Sequence, residues 1–494
     1  MNNILINLFK TIPTEIFLFI SVSILILYGI INTTSLLINR YIILNNLNIL
    51  VIFTLLISIL LIYQNPFVNN VTFNNTFIND NFINIIKIIV LISSISSIII
   101  SLNYLKNNKI NSFEYSILIL FSTIAMLLMT SSYNLISIYL SIELQSLAFY
   151  VLASMKRNSE YSTEASFKYF ILGVFSSGFL LLGFSILYGI TGINNIEQFY
   201  KLFIINYSNI EHISLYISLF LIIISFLFKI GAAPFHMWLP DVYEGSPLSV
   251  TAFFAITPKI VILSLIIRLF IYTFYDIIEE LNYIFIISSI TSMALASFFA
   301  LYQKKIIRLL AYSAIGHIGY ILIGITSSSI NSIQSSLLYI IVYIIMTINI
   351  YSIVISLYSN NNNIEIKYIK ELINLSKQNP ILAFSFTMLL FSMAGIPPLA
   401  GFFNKLYIFS SAINVSMYLL VFIGILTSVI SAVYYIYIIR IMYFEKSSVW
   451  IYIKQMNLEL SYVISITFLF IFLFICFLSP ALMYTHLFAF FLSI

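Results

Sequence analysis

Charge is what this sequence has least of. Of 494 residues only 8% are Asp, Glu, Lys or Arg, while 61% are hydrophobic and the mean hydropathy is +1.06. A soluble domain carries about 25% charged residues, so this chain cannot clothe a water-facing surface, and the bilayer is its solvent. The single cysteine, Cys476, excludes an internal disulfide, a zinc cage and an iron–sulfur cage. Placed in an apolar run, it reads as a small buried hydrophobe. The spacing of His236 and Trp238 does not suit zinc, and no third ligand cluster accompanies it. Dinucleotide and phosphate-loop glycine motifs are absent, as is a Ser-His-Asp set on a soluble scaffold. Such a chain can move ions, but it shows nothing with which to move electrons. No cleavable signal stands out at the start. Arginine is scarce and Asn, Ile, Phe and Tyr abundant, the skew of an A+T-rich coding sequence, organellar or bacterial.

What is present is length in apolar runs. A spanning helix needs roughly 20 apolar residues. By that measure the sequence predicts fourteen spans, near 15–38, 41–63, 83–105, 114–132, 135–154, 167–190, 213–239, 248–273, 283–302, 308–327, 334–358, 380–411, 414–442 and 460–489. The runs are continuous rather than alternating, so strands are not expected. Residues 65–80 read as a polar loop, and 359–379 as a charged loop with room for a short amphipathic helix. Fourteen basic residues fall in one set of loops: Arg40, Lys106, Lys109, Lys156, Arg157, Lys304, Lys305, Arg308, Lys367, Lys370, Lys377, Arg440, Lys446 and Lys454. Only Lys10, Lys87 and Lys201 fall on the opposite side. The positive-inside rule then places both termini away from the positive compartment, bacterial cytoplasm or mitochondrial matrix. The net charge of +5 is loop charge of this kind, not a nucleic-acid footprint.

Five basic residues remain, Lys168, Lys229, Lys259, Arg268 and Lys405, and all fall inside predicted spans. A charge at the bilayer centre costs about 2.5–3.5 kcal/mol on the insertion scale, so such residues face protein or water and mark ion paths. Glu143 reads as the one carboxylate deep in a span. A carboxylate near an ammonium keeps the lysine charged, and separating the two lets the lysine release its proton. Lys229 precedes "IGAAP" and Lys405 follows "AGIPPLAG", so both predict broken helices, which are tolerated at depth only where they line a cavity. Interrupted helices in two halves point to inverted repeats. Lys259, just after Pro258, is a third candidate, and Lys168, nearer the positive side, can also snorkel. Arg268 reads as an interfacial anchor. His236 and His317 suit proton relay, with hydrogen-bonded packing as the plain alternative. Asp241 and Glu244 read as loop caps or subunit contacts, and Lys304, Lys305 and Arg308 as positive-inside charge.

Three blocks carry a resemblance: "FKIGAAPFHMWLPDVYEGSPLSVTAFFAITPKI" (228–260), "KKIIRLLAYSAIGHIGY" (304–320) and "SMAGIPPLAGFFNKLYIF" (392–409). The chain resembles the antiporter-like membrane subunits of respiratory complex I, NADH:ubiquinone oxidoreductase. Among these, "DVYEGSP" is similar to the subunit 2 branch, and "AITPKI" and "HMW" to its mitochondrial form. The resemblance implies an all-α polytopic fold of about 14 helices. Two inverted five-helix repeats (111–275 and 276–445, with broken spans 7 and 12) follow an N-terminal three-helix segment (1–110) and precede a C-terminal helix (446–494). It also implies proton transfer by Glu143 with Lys229, then Lys259, then Lys405, with Lys168, His236 and His317 as modulators or relays. Enzyme activity then belongs to the assembled proton-translocating reductase. No redox centre is expected in this chain, with FMN, iron–sulfur clusters and ubiquinone in other subunits. The implied partners are neighbouring antiporter-like and small membrane subunits and lipid, in the mitochondrial inner membrane.

The buried lysines alone leave two other readings open. One is a standalone or multi-subunit cation/proton antiporter. The other is a scaffold whose lysines only hold helices together.

Overall fold

The computed structural model describes residues 13–34, 40–65, 70–108, 110, 112–206, 212–359, 365–446 and 452–493. Lys10 and Lys109 lie outside the described residues. Thirteen described helices are long and apolar enough to cross a membrane, so the protein is an all-α polytopic membrane protein. In chain order the described helices, short ones included, begin with α1 (Pro13–Thr34), α2 (Arg40–Tyr63), α3 (Asn81–Asn107), α4 (Glu114–Ser131), α5 (Leu135–Ala153), α6 (Glu160–Thr191) and the short α7 (Ile196–Asn206). Next come α8 (His212–Ile230), α9 (Trp238–Gly245), α10 (Leu248–Ile266), α11 (Ile278–Leu301), α12 (Ile306–Thr326) and α13 (Ile330–Ser356). After α14 (Leu375–Gln378) follow α15 (Pro380–Ala394), α16 (Ala400–Asn414), α17 (Tyr418–Tyr443), α18 (Leu458–Phe472) and α19 (Leu478–Ser493).

Each predicted span has its helix, and three are interrupted. Gly231, in the left-handed region at φ +74°, ends α8, and a Cβ there would collide with the Leu239 side chain. Gly395, at φ +89°, ends α15. The third interruption was not read from the sequence: the run 460–489 is divided by a 3-10 turn, Phe474–Phe477, into α18 and α19. Cys476 sits in that turn and is exposed, which corrects its reading as a buried hydrophobe. The charged loop holds a 3-10 turn, Ile369–Leu372, and α14.

The expectation of no strands fails once. Asn70–Thr72 (β1) and Phe77–Asn79 (β2) pair antiparallel, with Val71 opposite Ile78. The turn between them holds Phe73, Asn74 and Asn75 at φ 50–65°. Asparagine enters this region more readily than most residues, and a loop outside the bilayer has no need to close its backbone bonds as a helix.

The contacts divide the described residues into two compact units, one running to Ile230 and including Gly245–Ile278, the other Gly231–Glu244 with Glu279 onward. In the first unit α10 is buried along its whole length. It packs on α3, α4 and α8. In the second unit α13 is the central element, touching α12, α15, α16, α18 and α19. A helix apolar all round belongs at such a centre, and its few polar residues then point at other helices rather than lipid.

Candidate functional site

In the second unit, the site is built around a helix that stops and restarts. Pro380 opens α15 at its first turn, and the Asn379 side chain accepts from the Leu382 amide at 3.3 Å. The helix closes with the Gly395 and Ile396 amides both donating to the Phe391 carbonyl at 3.0 Å. Pro397 and Pro398 have no amide proton, so α16 cannot simply continue α15. Each half has 15 residues, about 22 Å of helix, too short to cross alone. A Cβ at Gly401 would run into the Ser392 carbonyl, so glycine there lets α16 start against the end of α15.

Lys405, buried on α16, turns back to this end. Its Nζ donates to the carbonyls of Ala394 (2.8 Å) and Met393 (3.2 Å). Those are carbonyls a terminating helix leaves without amide partners. The ammonium also lies 5.2 Å from the centroid of the Tyr320 ring. Lys405 lines a small cavity, shared with Ser313, His317, Thr427, Ser431 and Tyr435. His317 is buried in its wall, 2.7 Å by Nδ1 from the Tyr339 hydroxyl and 3.4 Å by Nε2 from that of Tyr435. The structure therefore brings Lys405 and His317 to one polar cavity. His236 is buried in the irregular segment after Gly231, in the same unit, and its Nδ1 has no hydrogen-bond partner among the described residues. The backbone there is held by the Thr291 hydroxyl, which donates to the Ala233 carbonyl at 3.1 Å, and by the Leu239 amide, which donates to the His236 carbonyl.

In the first unit, Glu143 on α5 accepts from the Ser146 hydroxyl at 3.2 Å through Oε2, and its Oε1 is buried with no partner among the described residues. Lys229, half-buried in the last turn of α8, feels the Glu143 charge. No ion pair within 4.0 Å joins the two. Lys259 is buried on α10 directly after Pro258. That proline has no amide to offer the Phe254 carbonyl one turn back, while the Thr257 hydroxyl donates to the Phe253 carbonyl at 3.0 Å. Local loosening of the backbone beside a lysine within a span thus recurs at Lys229, Lys259 and Lys405, the last two buried. Lys168 differs: it is 43% exposed and paired at 2.8 Å with Glu164 on its own helix.

Ion pairs at three places were not read from the sequence. Lys87 was counted with loop charge, yet it is buried in α3 and meets the buried Glu15 of α1 at 2.5 Å. Glu15 is therefore a buried carboxylate inside a membrane helix. Arg268, in the π-helical turn Ile267–Thr273, pairs with Asp80 at 2.8 Å and lies over the Tyr133 ring. At the start of α12, Lys305 contacts Glu244, and Arg308 bridges Asp241 (2.8 Å) and Glu244 (3.3 Å). The positive-inside count explained those cations too early. A tight acid pair just after a helix break, in a chain with only 17 acids, was the signal to look for partners.

Residues 132–431 match the family model described as NADH:quinone oxidoreductase/Mrp antiporter, transmembrane. The chain is 46% identical to NADH-ubiquinone oxidoreductase chain 2 of Marchantia polymorpha, over 97% of each chain. Among solved structures, a chain of respiratory complex I from Thermus thermophilus superposes with TM-score 0.77 at 22% identity, covering 95% of this chain and 98% of that one. A chain of the Mrp complex from Dietzia gives 0.80 at 16%, covering 96% of each. At such identities the two structures speak for the fold alone. With the matched model spanning more than half of its length and a relative this similar end to end, the chain belongs to the NADH:quinone oxidoreductase/Mrp antiporter transmembrane family.

Proposed function

We propose that this protein is the proton-translocating subunit 2 of NADH:ubiquinone oxidoreductase. The observation that carries this reading is Lys405, an ammonium buried at a helix break against backbone carbonyls and a polar cavity. An ammonium in that position is held by dipoles rather than by a counter-charge, so a small change in the break alters its hold on a proton. Glu143 and Lys229 are coupled through space without direct contact, so a shift of either helix changes the proton affinity of the lysine. Protons pass from Lys229 through Lys259 to Lys405. His317 serves the cavity, His236 the first break, and the exposed Lys168 tunes the field. Five-helix repeats over 111–275 and 276–445 each contain one of the two breaks at Gly231 and Gly395, which supports their description as inverted repeats.

Electron transfer belongs to other subunits on this reading, together with FMN, the iron–sulfur clusters and ubiquinone; a chain with one cysteine has no ligand set for a cluster. The neighbouring antiporter-like and small membrane subunits are its partners. The mitochondrial inner membrane is its place, with both termini on the intermembrane-space side. The antiporter alternative rests on likeness of fold at 16% identity, against 46% for the oxidoreductase chain. Proton translocation by assembled complexes carrying Lys229→Ala or Lys405→Ala tests the assignment. Both are expected to lose translocation through this subunit, and unchanged translocation would refute the assigned roles.

A further inference from the structure

The second unit surrounds His317 with buried tyrosines. Tyr320, Tyr339, Tyr343 and Tyr435 are all buried, and the Tyr343 ring lies 5.2 Å from the imidazole. Two of these hydroxyls face the two ring nitrogens, Tyr339 at 2.7 Å and Tyr435 at 3.4 Å, the second at the long end of a hydrogen bond. A histidine kept only for packing needs one such bond, and a backbone carbonyl would do. A carbonyl partner also fixes the tautomer, because it can only accept. A phenol hydroxyl donates and accepts, so with one on each side either nitrogen can carry the proton. The surroundings are asymmetric as well. Tyr435 and His317 line the cavity that holds Lys405, whereas Tyr339 is not among its lining residues. Tyr339 lies on α13, one turn before Tyr343.

We infer that Tyr435 and Tyr339 are proton-relay residues on either side of His317, carrying the cavity of Lys405 through the imidazole to the tyrosines of α13. This rests on the proton-translocation reading above. In the step, the Tyr435 hydroxyl gives its proton to Nε2 and regains one from the cavity. Nδ1 releases its proton to the Tyr339 oxygen, which passes its own hydroxyl proton onward. At each phenol one O–H bond breaks and one forms, and the ring gains an N–H bond at Nε2 as it loses one at Nδ1, so neither phenol is left charged. The ring returns to its first tautomer before the next proton.

The test uses the assembled complex in proteoliposomes, with Tyr339→Phe, Tyr435→Phe, the double variant, and Lys405→Ala as reference. Phenylalanine keeps the ring and removes only the hydroxyl. Each single variant is expected to slow proton translocation through this subunit about a hundredfold, the low end of what a positioned proton-transfer group contributes. The heavy-water isotope effect on translocation should rise, which a packing defect would not cause. Because the steps are in series their delays add rather than multiply, so the double variant should be at most about twofold slower than the worse single one. Normal translocation in the phenylalanine variants with a defective Lys405→Ala overturns the relay and leaves the reading of the subunit standing. Normal translocation in all four overturns both. Failure of both single variants to assemble assigns the hydroxyls to holding the fold, and also overturns the relay.

Discussion

Lys405 caps the helix that precedes it: its ammonium lies 2.8 Å from the carbonyl oxygen of Ala394, the last residue of α15. The carbonyls at a helix C-terminus carry partial negative charge, and a cation there is favoured by their dipoles as well as by hydrogen bonds. One side chain therefore closes a buried helix end, and on the function proposed above it also holds a transferable proton. The two roles can be separated.

Lys405→Arg keeps a permanent cation able to donate to the same carbonyls, but a guanidinium does not release its proton at attainable pH. If Lys405 cycles its proton, the arginine complex assembles and reduces quinone while translocation through this subunit falls to the level of the alanine variant. If Lys405 only caps the helix, the arginine complex translocates normally. Proton translocation per quinone reduced, measured in vesicles, decides between them.

Gly395→Ala acts on the same site from the backbone. An L-residue in the left-handed region costs about 1–2 kcal/mol. The added Cβ would also come within 3.0 Å of Lys405 Cδ and 3.2 Å of its Nζ. The complex is expected to lose thermal stability by about that amount and to translocate poorly, because the ammonium is pushed off the carbonyls. Thermal inactivation and proton translocation measured on one preparation check the two parts.

The pair of Glu15 and Lys87 makes a sharper stability prediction. Both side chains are at most 4% exposed, so neither charge has water to fall back on. Removing one partner, as in Glu15→Gln, strands the ammonium and is expected to cost about 3–5 kcal/mol. Replacing both, Glu15→Leu with Lys87→Met, removes charge and desolvation together and should restore most of the loss. Thermal denaturation of the assembled complex measures both, and a double variant as unstable as the single one would show that the pair gives something apolar packing cannot.

These examples mark what was legible in the sequence. Hydropathy is a property of single segments, and it located every span. Gly and Pro act on their own backbone, so the breaks at Gly231 and Gly395 were legible too, and with them the position of Lys229 and Lys405 beside a break. Ion pairs depend on two segments at once. Glu15 and Lys87 are far apart in the chain, and Asp241 and Arg308 are separated by 67 residues. The exposure of Lys168 and its pairing with Glu164 were not legible for the related reason that run length does not say which side of a helix faces outward. The break between α18 and α19 carries its proline, Pro480, after the turn rather than in it, so the sequence offered little to separate the halves.

The acids after the first break show what such a pair does for the fold. Arg308 reaches Asp241 through one guanidinium nitrogen and Glu244 through another, while Lys305 meets Glu244 from the side. Together they tie α9 to the first turn of α12. The side chains are 18–38% exposed, so each contact alone is worth about 1 kcal/mol or less, and salt weakens it. Arg308→Lys should cost more than loss of one contact, because a single ammonium cannot hold both carboxylates in the same geometry. Glu244→Lys places two like charges together and should destabilise the complex at low salt. Adding Lys305→Glu reverses the pair and should recover part of that loss, short of full recovery because Arg308 still expects an acid at 244. Thermal denaturation at low ionic strength and near 1 M salt reads this directly. The three differences should shrink together at high salt, and differences that persist there would place the effect in packing rather than charge.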